Sequence, residues 1–348
     1  MRWDNLTAPP VEGDPERAAP ATPPLPLALP GAVARTFDTP EFAGMTFYEV
    51  RAKSIINRVP GQSRVPFEWT INPYRGCSHA CVYCFARNTH TYLDLDAGAD
   101  FDRKVIVKVN AGELVRRELA APKWRGAHVA MGTNVDCYQR AEGRYRLMPQ
   151  IIAALRDFAN PFSILTKGTL ILRDLPLLRE AAQVTKVGIS YSVGFVDEQL
   201  WRAVEPGTPH PRRRLDAVRA LSDAGFSVGV LMAPILPGLS DSDESIDATV
   251  SAIAAAGASS VTPLALHLRP GAREWYAGWL AREYPHLVPR YQELYRAGSY
   301  APQAYQRELT ARVRIAARRH GLHRGEVGDN RSLPEPPPPP ASEQLTLL

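Results

Sequence analysis

Six short apolar runs alternate with helical patterns along this 348-residue chain, and this alternation constrains the fold more than any other feature of the sequence. We interpret the runs as β-strands, with amphipathic helices in the intervals between them. Repeated strand–helix units place successive strands side by side in a parallel sheet covered by the helices. We therefore predict an α/β fold with a curved sheet, whose six strands are residues 68–72, 128–132, 162–166, 186–192, 227–232 and 260–266.

Two of the predicted helices have clear apolar faces. Their apolar residues recur every three or four positions, the spacing that lines one side of a helix. They are Leu147, Ile151, Ile152, Leu155 and Phe158 in the first helix, and Leu215, Val218 and Leu221 in the second. A third helix is expected to begin at Asp241, because Asp241 and Glu244 form a capping pattern.

The two ends of the chain differ in composition from its middle. Residues 1–40 are rich in proline and alanine, and residues 331–348 include a run of five prolines at 336–340. We expect disordered tails here, on either side of one folded domain spanning 41–330. No apolar run approaches the ~20 residues that cross a bilayer, and no signal-peptide core is evident. A cytoplasmic protein without a membrane partner is therefore expected.

Basic residues outnumber acidic ones, and the net charge is +5. This balance permits a nucleic-acid partner without requiring one. Two basic clusters, at 212–214 and 318–320, are candidates to contact phosphates. Isolated basic runs are more often solvated surface, and charge alone slightly favours that interpretation.

Three of the four cysteines lie in one short stretch with the spacing C-x3-C-x2-C: Cys77, Cys81 and Cys84. Tyr83 immediately precedes the third of them. Three thiolates on one loop can hold three irons of a cubic [4Fe–4S] cluster and leave the fourth iron open for chemistry. The stretch therefore indicates an iron–sulfur site.

Two other interpretations of these cysteines are open. A disulfide framework is disfavoured, because three clustered cysteines cannot pair off and nothing in the sequence suggests secretion. A structural zinc site, with His79 or Cys137 as its fourth ligand, is the stronger alternative. Zinc ligands usually come as two pairs on separate turns, whereas these three cysteines fall on one loop.

The cysteine spacing and the aromatic residue before Cys84 together resemble the signature of the radical SAM superfamily. In that family S-adenosylmethionine chelates the open iron, and an electron from the cluster releases a 5′-deoxyadenosyl radical. The resemblance implies Cys77, Cys81 and Cys84 as ligands of a [4Fe–4S] cluster, with S-adenosylmethionine as the second cofactor. It also implies an electron donor of the flavodoxin or ferredoxin type, and a partial (β/α)6 barrel with its site at the carboxyl ends of the strands.

The same resemblance implies that residues after the later strands line the S-adenosylmethionine pocket. Gly132, Thr133 and Asn134 take the place of a Gly-Gly-Glu type turn that holds the methionine amino group. They lack its second glycine and its carboxylate, and Asp136 is the candidate to compensate. Tyr83 is expected near the adenine because it lies inside the cysteine motif, with a buried structural tyrosine as the alternative.

Ser190 and Ser192 lie two residues apart on the fourth predicted strand, so their side chains point to the same face. Their hydroxyls are candidates to bond the ribose or the methionine carboxylate, with ordinary strand chemistry as an equal alternative. Lys167 ends the third strand, where its side chain could approach the site, but the favoured interpretation is an exposed loop lysine.

Several segments resemble a narrower group related to spore photoproduct lyase, and this likeness extends from residue 47 to residue 321. The segments are residues 52–57, 72–76 with the cysteine stretch, 132–139 and 234–239. The resemblance implies damaged DNA as the substrate. Cys137 is the candidate donor of a hydrogen atom to the product radical, because the lyase uses a cysteine outside its cluster for this step. A buried inert thiol is the alternative.

The chain ends in Gln344-Leu345-Thr346-Leu347-Leu348, which resembles the peptide that bacterial repair proteins use to bind the sliding clamp. A tail without function is the alternative. Two other functions are open for the whole chain. One is radical modification of RNA or of a protein side chain, and the other is a non-catalytic zinc or iron–sulfur adaptor that associates with DNA.

Overall fold

Two β-sheets organise the computed structural model, which describes residues 3–4, 29–60 and 65–322. The strands in these residues, numbered in chain order, are β1 (Trp3–Asp4), β2 (Val33–Arg35), β3 (Thr46–Ala52), β4 (Ile56–Arg58), β5 (Trp69–Ile71), β6 (Tyr74–Arg75), β7 (Lys104–Lys108), β8 (Val129–Met131), β9 (Phe162–Thr166), β10 (Val187–Ser192), β11 (Val228–Ile235) and β12 (Ser260–Ala265).

Helices connect most of these strands. The α-helices of the described residues are α1 (Ala99–Arg103), α2 (Ala111–Leu119), α3 (Ala141–Tyr145), α4 (Leu147–Asp157), α5 (Leu175–Val184), α6 (Glu198–Val204), α7 (Pro211–Asp223), α8 (Asp243–Ala255), α9 (Ala272–Glu283), α10 (Val288–Leu294) and α11 (Gln303–Arg319). Short 3-10 helices occupy Pro40–Phe42, Phe85–Leu93, Thr169–Asp174 and Pro285–Leu287. Among the described residues, none of these helices is both long and apolar enough to cross a bilayer.

The larger sheet has the strand order β12-β11-β10-β9-β8-β5-β4. Its neighbours pair in parallel, except that β4 runs antiparallel to β5 at the edge. The six parallel strands are the six predicted from the sequence, with ends that differ by a few residues at most. The α/β prediction is therefore confirmed. Because all six strands run in the same direction, their carboxyl ends meet at one edge of the sheet.

The apolar faces predicted for two helices are buried in the core. Leu147, Ile151, Ile152 and Leu155 of α4 are at most 2% exposed, as are Val218 and Leu221 of α7, with Leu215 at 8%. Phe158 is the exception. It follows the last residue of α4 and is 42% exposed, because the chain has already left the helical path there.

A second sheet, which the sequence analysis did not anticipate, packs beside the first. Its order is β1-β3-β7-β6, and β2 also pairs antiparallel with β3, at residues 47–49, whereas β1 pairs with residues 51–52. Tyr74–Arg75 forms β6 and pairs antiparallel with β7. The cysteine stretch thus leaves directly from a strand of this second sheet.

Three expectations need correction or lie outside the structure. The predicted tail boundary at residue 40 is wrong, since Val33–Arg35 forms a strand and Leu29 is 1% exposed. The predicted helix cap at Asp241 is one residue early, because the cap of α8 is Ser242, which accepts a hydrogen bond from the Ser245 amide. The rest of both predicted tails, including the clamp-like peptide, lies outside the described residues.

A buried carboxylate joins the elements that flank the cysteine stretch. Glu142 has no exposed surface and accepts hydrogen bonds from the Tyr74 hydroxyl (2.6 Å) and from Arg173 (2.8 Å). It also accepts from the amides of Leu147 (3.0 Å) and Met148 (3.1 Å) in the first turn of α4. A buried carboxylate is tolerated when its oxygens are paired in this way.

Replacing this carboxylate should destabilise the fold. Glu142→Ala leaves the buried Tyr74 hydroxyl without its acceptor and removes one of the two carboxylates that pair with Arg173, the other being Asp174. We expect a loss of about 3 kcal/mol in the free energy of unfolding. Denaturant titration measures this loss. Glu283→Ala, at the exposed end of α9, is the control and should stay within about 0.5 kcal/mol of wild type. Equal stability of both variants would contradict the conclusion that the hydrogen bonds of Glu142 stabilise the fold.

Candidate active site

The cysteine stretch follows β5 and β6 and turns over the carboxyl edge of the larger sheet. Cys77 and Cys81 are buried, Cys84 is half-buried, and all three thiols are free of disulfides. The Cys77 amide donates to the Phe101 carbonyl at 2.9 Å. Ala80 adopts a left-handed conformation with φ of 51°, which turns the chain between the first two cysteines. The third cysteine immediately precedes the 3-10 helix Phe85–Leu93.

Hydrogen bonds from later loops fix the backbone of this stretch. The buried Gln139 amide accepts from the Ser78 amide and donates to the Gly76 carbonyl, each at 2.9 Å. The Gly207 amide donates to the His79 carbonyl at 3.1 Å. A side chain at Gly207 would not fit, because its Cβ would lie 2.0 Å from the Ser78 carbonyl oxygen. Sequence analysis gave Gln139 and Gly207 no role.

A fully buried arginine supports the other end of the stretch. Arg87 donates to the Cys81 carbonyl at 2.9 Å and forms an ion pair with Asp102, also at 2.9 Å. Its guanidinium carbon lies 4.8 Å from the ring centroid of Trp275 and 5.2 Å from that of Phe101. The sequence analysis gave Arg87 no role, although its position three residues after Cys84 could have indicated one.

Burial keeps the three thiols protonated in the absence of a metal. It raises the pKa of Cys77 well above its ordinary value and the pKa of Cys81 to about 12. The pKa of Cys84 is also raised by burial, against an opposing effect of the Arg87 charge. A metal centre that binds thiolates displaces these protons.

The donor set fits a thiolate-bound cluster. Each cysteine of a cubic cluster binds its own iron, so the three sulfurs need not surround one point. A structural zinc ion instead needs four ligands around one position. In the part of the chain that the structure describes, no three His, Cys, Asp or Glu side chains are grouped to hold a single ion.

Lys167 faces the cysteine stretch from the end of β9. Its ammonium donates to the Ser192 hydroxyl at 2.8 Å and lies 5.8 Å from the ring centroid of Tyr83. The Ser192 hydroxyl in turn donates to the Ala233 carbonyl at 2.8 Å. The interpretation of Lys167 as an exposed loop lysine is therefore wrong, because the side chain is half-buried and points into the site.

A buried charge pair lies behind Tyr83. The Tyr83 hydroxyl donates to Glu205, and Arg214 forms an ion pair with the same carboxylate. Arg214 also donates to the Thr208 hydroxyl at 2.7 Å and to the Ser192 carbonyl at 3.2 Å. Burial by itself would raise the pKa of Glu205, but Arg214 and then Lys167 hold it below its ordinary value.

This pair corrects the interpretation of the basic cluster at 212–214. Arg214 is fully buried and therefore cannot contact a phosphate of a bound nucleic acid. Arg212 and Arg213 remain exposed on α7. The cluster is thus one structural arginine beside two surface arginines.

Hydrogen bonds to Asp136 connect the loop after β8 with the end of β9. One carboxylate oxygen accepts from the Tyr138 amide (2.8 Å) and the Thr166 hydroxyl (2.7 Å). The other accepts from the Lys167 amide (2.7 Å) and lies 3.4 Å from the His79 ring. Burial lowers the pKa of His79 to about 4, so its ring is neutral at pH 7.

The predicted turn residues follow β8 at the same edge. Gly132 has φ of 75°, and a Cβ there would lie 1.8 Å from the Leu165 carbonyl oxygen, so only glycine fits. Thr133 and Asn134 are half-buried beside it. Ser190 is buried on β10, two residues before Ser192. The turn follows β8 and the two serines lie near the end of β10, and β9 is the one strand between these two in the sheet.

Cys137 lies in the hydrophobic core. It is 1% exposed and belongs to the same apolar cluster as Tyr74 and Tyr138. Burial raises the pKa of its thiol well above the ordinary value. A protonated, buried thiol is the state that both a hydrogen-atom donor and an inert core cysteine require.

A cavity of about 820 Å³ opens beside the cysteine stretch. Its walls come from the loops after β8 and β9, from α3, from the residues just before α7 and from the segment 36–42. Residues that line it include His79, Tyr138, Arg140, Arg144, Gly168 and Pro209. Residues 36–39, which the sequence analysis assigned to a disordered tail, therefore contribute to one wall of the cavity.

Comparison with known proteins gives concordant results. The sequence model of the radical SAM superfamily matches residues 71–249. Uncharacterized proteins of Mycobacterium tuberculosis (strain H37Rv) and Mycobacterium bovis are each 50% identical over 311 residues, covering 88% of this chain and 90% of theirs. An uncharacterized protein of Methanocaldococcus jannaschii is 29% identical over 195 residues, covering 56% of this chain and 69% of its own.

Solved structures share the fold. A spore photoproduct lyase variant superposes with a TM-score of 0.57 and 17% identity, covering 78% of each chain. Spore photoproduct lyase complexed with dinucleoside spore photoproduct gives a TM-score of 0.53 and 17% identity, covering 74% of this chain and 75% of the other. At this identity, the likeness shows the fold alone.

Adding a methyl group at Gly207 should loosen the cysteine stretch. In Gly207→Ala the new Cβ displaces the Ser78–His79 peptide, at a cost of about 1–3 kcal/mol in unfolding free energy. We expect less iron to be retained after anaerobic reconstitution with iron and sulfide, measured by iron analysis and visible absorption.

Gly278→Ala is the matched control. Gly278 lies inside α9, and the nearest heavy atom to an added Cβ is 3.8 Å away. Alanine in a helix interior should stabilise by about 0.5–1 kcal/mol and leave iron retention unchanged. Full iron retention by Gly207→Ala would contradict the role given to this contact.

Proposed function

Because this chain belongs to the radical SAM superfamily, whose members use a [4Fe–4S] cluster and S-adenosylmethionine, we propose that Cys77, Cys81 and Cys84 bind the cluster. The observation that carries this proposal is the placement of three free thiols on one loop at the carboxyl edge of six parallel strands. Active sites of barrels built in this way lie at that edge. With both groups bound, the chemistry supplied is a 5′-deoxyadenosyl radical that takes a hydrogen atom from the substrate.

Residues around Lys167 have the chemistry to hold S-adenosylmethionine. The Lys167 ammonium can donate to a carboxylate, and the Ser192 hydroxyl, which accepts one of its hydrogen bonds and donates to the Ala233 carbonyl, holds the ammonium in place. The Tyr83 ring, whose hydroxyl donates to Glu205, has the Lys167 ammonium over it at 5.8 Å from the ring centroid, and an adenine bound in this space would contact the ring. Ser190 offers a second hydroxyl on the strand that carries Ser192.

The turn after β8 is assigned to the methionine amino group. Gly132 brings the backbone close to the neighbouring strand, and Thr133 and Asn134 supply polar side chains there. Asp136 has a different role in this proposal. Its two oxygens already accept three hydrogen bonds, so it positions Lys167 and His79 instead of replacing the missing carboxylate of the turn.

The proposed substrate class is damaged DNA. Three observations support it: the shared fold with spore photoproduct lyase, the net charge of +5, and the cavity beside the cysteine stretch. A base in a duplex has to leave the stack before a radical can reach it. Cys137, with its protonated thiol, is the proposed hydrogen-atom donor to the product radical.

Loss of one cluster cysteine tests the central proposal. Cys84→Ala should lose most of its iron after anaerobic reconstitution, and 5′-deoxyadenosine should fall below detection when S-adenosylmethionine and dithionite are added. Cys137→Ala is the control for iron binding, since Cys137 lies in the core. It should retain iron. Zinc in place of iron, or iron loss in Cys137→Ala alone, would contradict the cluster and favour an adaptor.

The substrate class is tested by the polymer that accelerates the reaction. We expect UV-irradiated DNA to raise the rate of 5′-deoxyadenosine formation well above the rate with undamaged DNA, because a bound substrate positions the carbon that the radical attacks. Product analysis of the DNA by mass spectrometry identifies the lesion consumed. Stimulation by RNA or by a protein, with none by irradiated DNA, would overturn the DNA assignment while leaving the radical chemistry intact.

A further inference from the structure

The loops after the first and last parallel strands meet beside the cysteine stretch. β5 and β12 lie far apart in the order of the larger sheet. At the carboxyl edge, however, Phe85, which directly follows Cys84, contacts His267, which lies two residues beyond β12. Their ring centroids are 5.3 Å apart. This contact therefore borders the opening between the two ends of the curved sheet.

A third ring extends this contact to the surface. Tyr300 stacks on His267 with a centroid separation of 5.6 Å and an interplanar angle of 23°. The backbone supports the stack, because His267 and Tyr300 form an antiparallel bridge and the Leu268 amide donates to the Ser299 carbonyl at 2.8 Å. We call Phe85, His267 and Tyr300 the aromatic shelf.

The outer end of the shelf is open and carries a positive charge. Tyr300 is 49% exposed, which is high for a large ring held in a stack. Arg269 is exposed, and its guanidinium carbon lies 5.2 Å from the ring centroid of Phe85. One guanidinium nitrogen of Arg269 donates to the Tyr300 hydroxyl at 3.5 Å. His267 also has a buried ring nitrogen, Nε2, without a hydrogen-bond partner. Neither core packing nor the proposed cluster chemistry accounts for this combination.

We propose that the aromatic shelf binds an unpaired nucleobase of DNA, with Arg269 contacting the adjacent phosphate. Rings that are rigid, half-exposed and next to an arginine are the platform on which single-stranded nucleic acids stack. The shelf extends from Phe85, next to Cys84, out to the exposed Tyr300. A base stacked on Tyr300 therefore places the strand at the end of a row of rings that leads to the cysteine stretch. This inference rests on the proposed DNA substrate and names where the unpaired strand binds.

The test is the affinity of the reconstituted full-length protein for a short, fluorescently labelled single-stranded DNA, measured by anisotropy. Tyr300→Ala should weaken binding about fivefold or more, the lower range for loss of one base–aromatic stack. Tyr300→Trp keeps a stacking ring and should bind within about twofold of wild type. Arg269→Gln should lower the slope of log affinity against log salt by about one unit.

Phe158→Ala is the matched control. Phe158 is a similarly exposed ring, 42%, but it follows α4 and precedes β9, at the opposite edge of the sheet. It should bind DNA as wild type does. Equal affinities of Tyr300→Ala, Tyr300→Trp and wild type would overturn the shelf while leaving the DNA substrate standing.

Failure of the proposed function gives a different result. If wild type binds no DNA and irradiated DNA leaves 5′-deoxyadenosine formation unchanged, both the DNA substrate and the shelf are overturned. If irradiated DNA stimulates the reaction in wild type and equally in Tyr300→Ala at limiting DNA, only the shelf is overturned. Reduced stimulation in Tyr300→Ala at limiting DNA, restored in Tyr300→Trp, supports the shelf.

Discussion

Parallel pairing of six strands brings their carboxyl ends to one edge of the larger sheet, and the candidate site is built on the loops that leave from this edge. The cysteine stretch follows the first strand, Asp136 the second and Lys167 the third, while Ser192 ends the fourth. The parallel sheet therefore brings together residues that are far apart in the chain, and no local sequence pattern indicates that they are close in space. If one strand shifted its register by one residue, the side chains that it contributes to the site would point to the opposite face of the sheet.

Buried charges hold the parts of this edge in place. Arg87 pairs with Asp102 beneath the cysteine stretch, and Arg214 pairs with Glu205 behind Tyr83. Burying an ion is costly unless its partner and its hydrogen bonds are buried with it. These pairs therefore permit few alternative arrangements of the loops. Rigidity of this kind suits a site that has to hold a reactive radical next to one substrate atom.

The sequence was most informative where its pattern was local. Strand and helix periodicity identified the six parallel strands and the buried faces of α4 and α7, because apolar spacing directly reports which side of an element is buried. It was least informative for the second sheet. The strands β1, β2 and β6 of this sheet have only two or three residues, which is too short to leave a periodic signal. The strands β3 and β7 have seven and five residues, and the sequence analysis did not assign them.

The α/β class and the spacing of Cys77, Cys81 and Cys84 follow from the order of residues in the chain, since both are properties of residues that are close in sequence. The contact of Lys167 with Tyr83, the burial of Arg214 and the contact of Phe85 with His267 depend on how the chain folds. A sequence shows which residues are charged or aromatic. It does not show which of these side chains are buried or which residues they contact. Those depend on which loops the parallel sheet brings together.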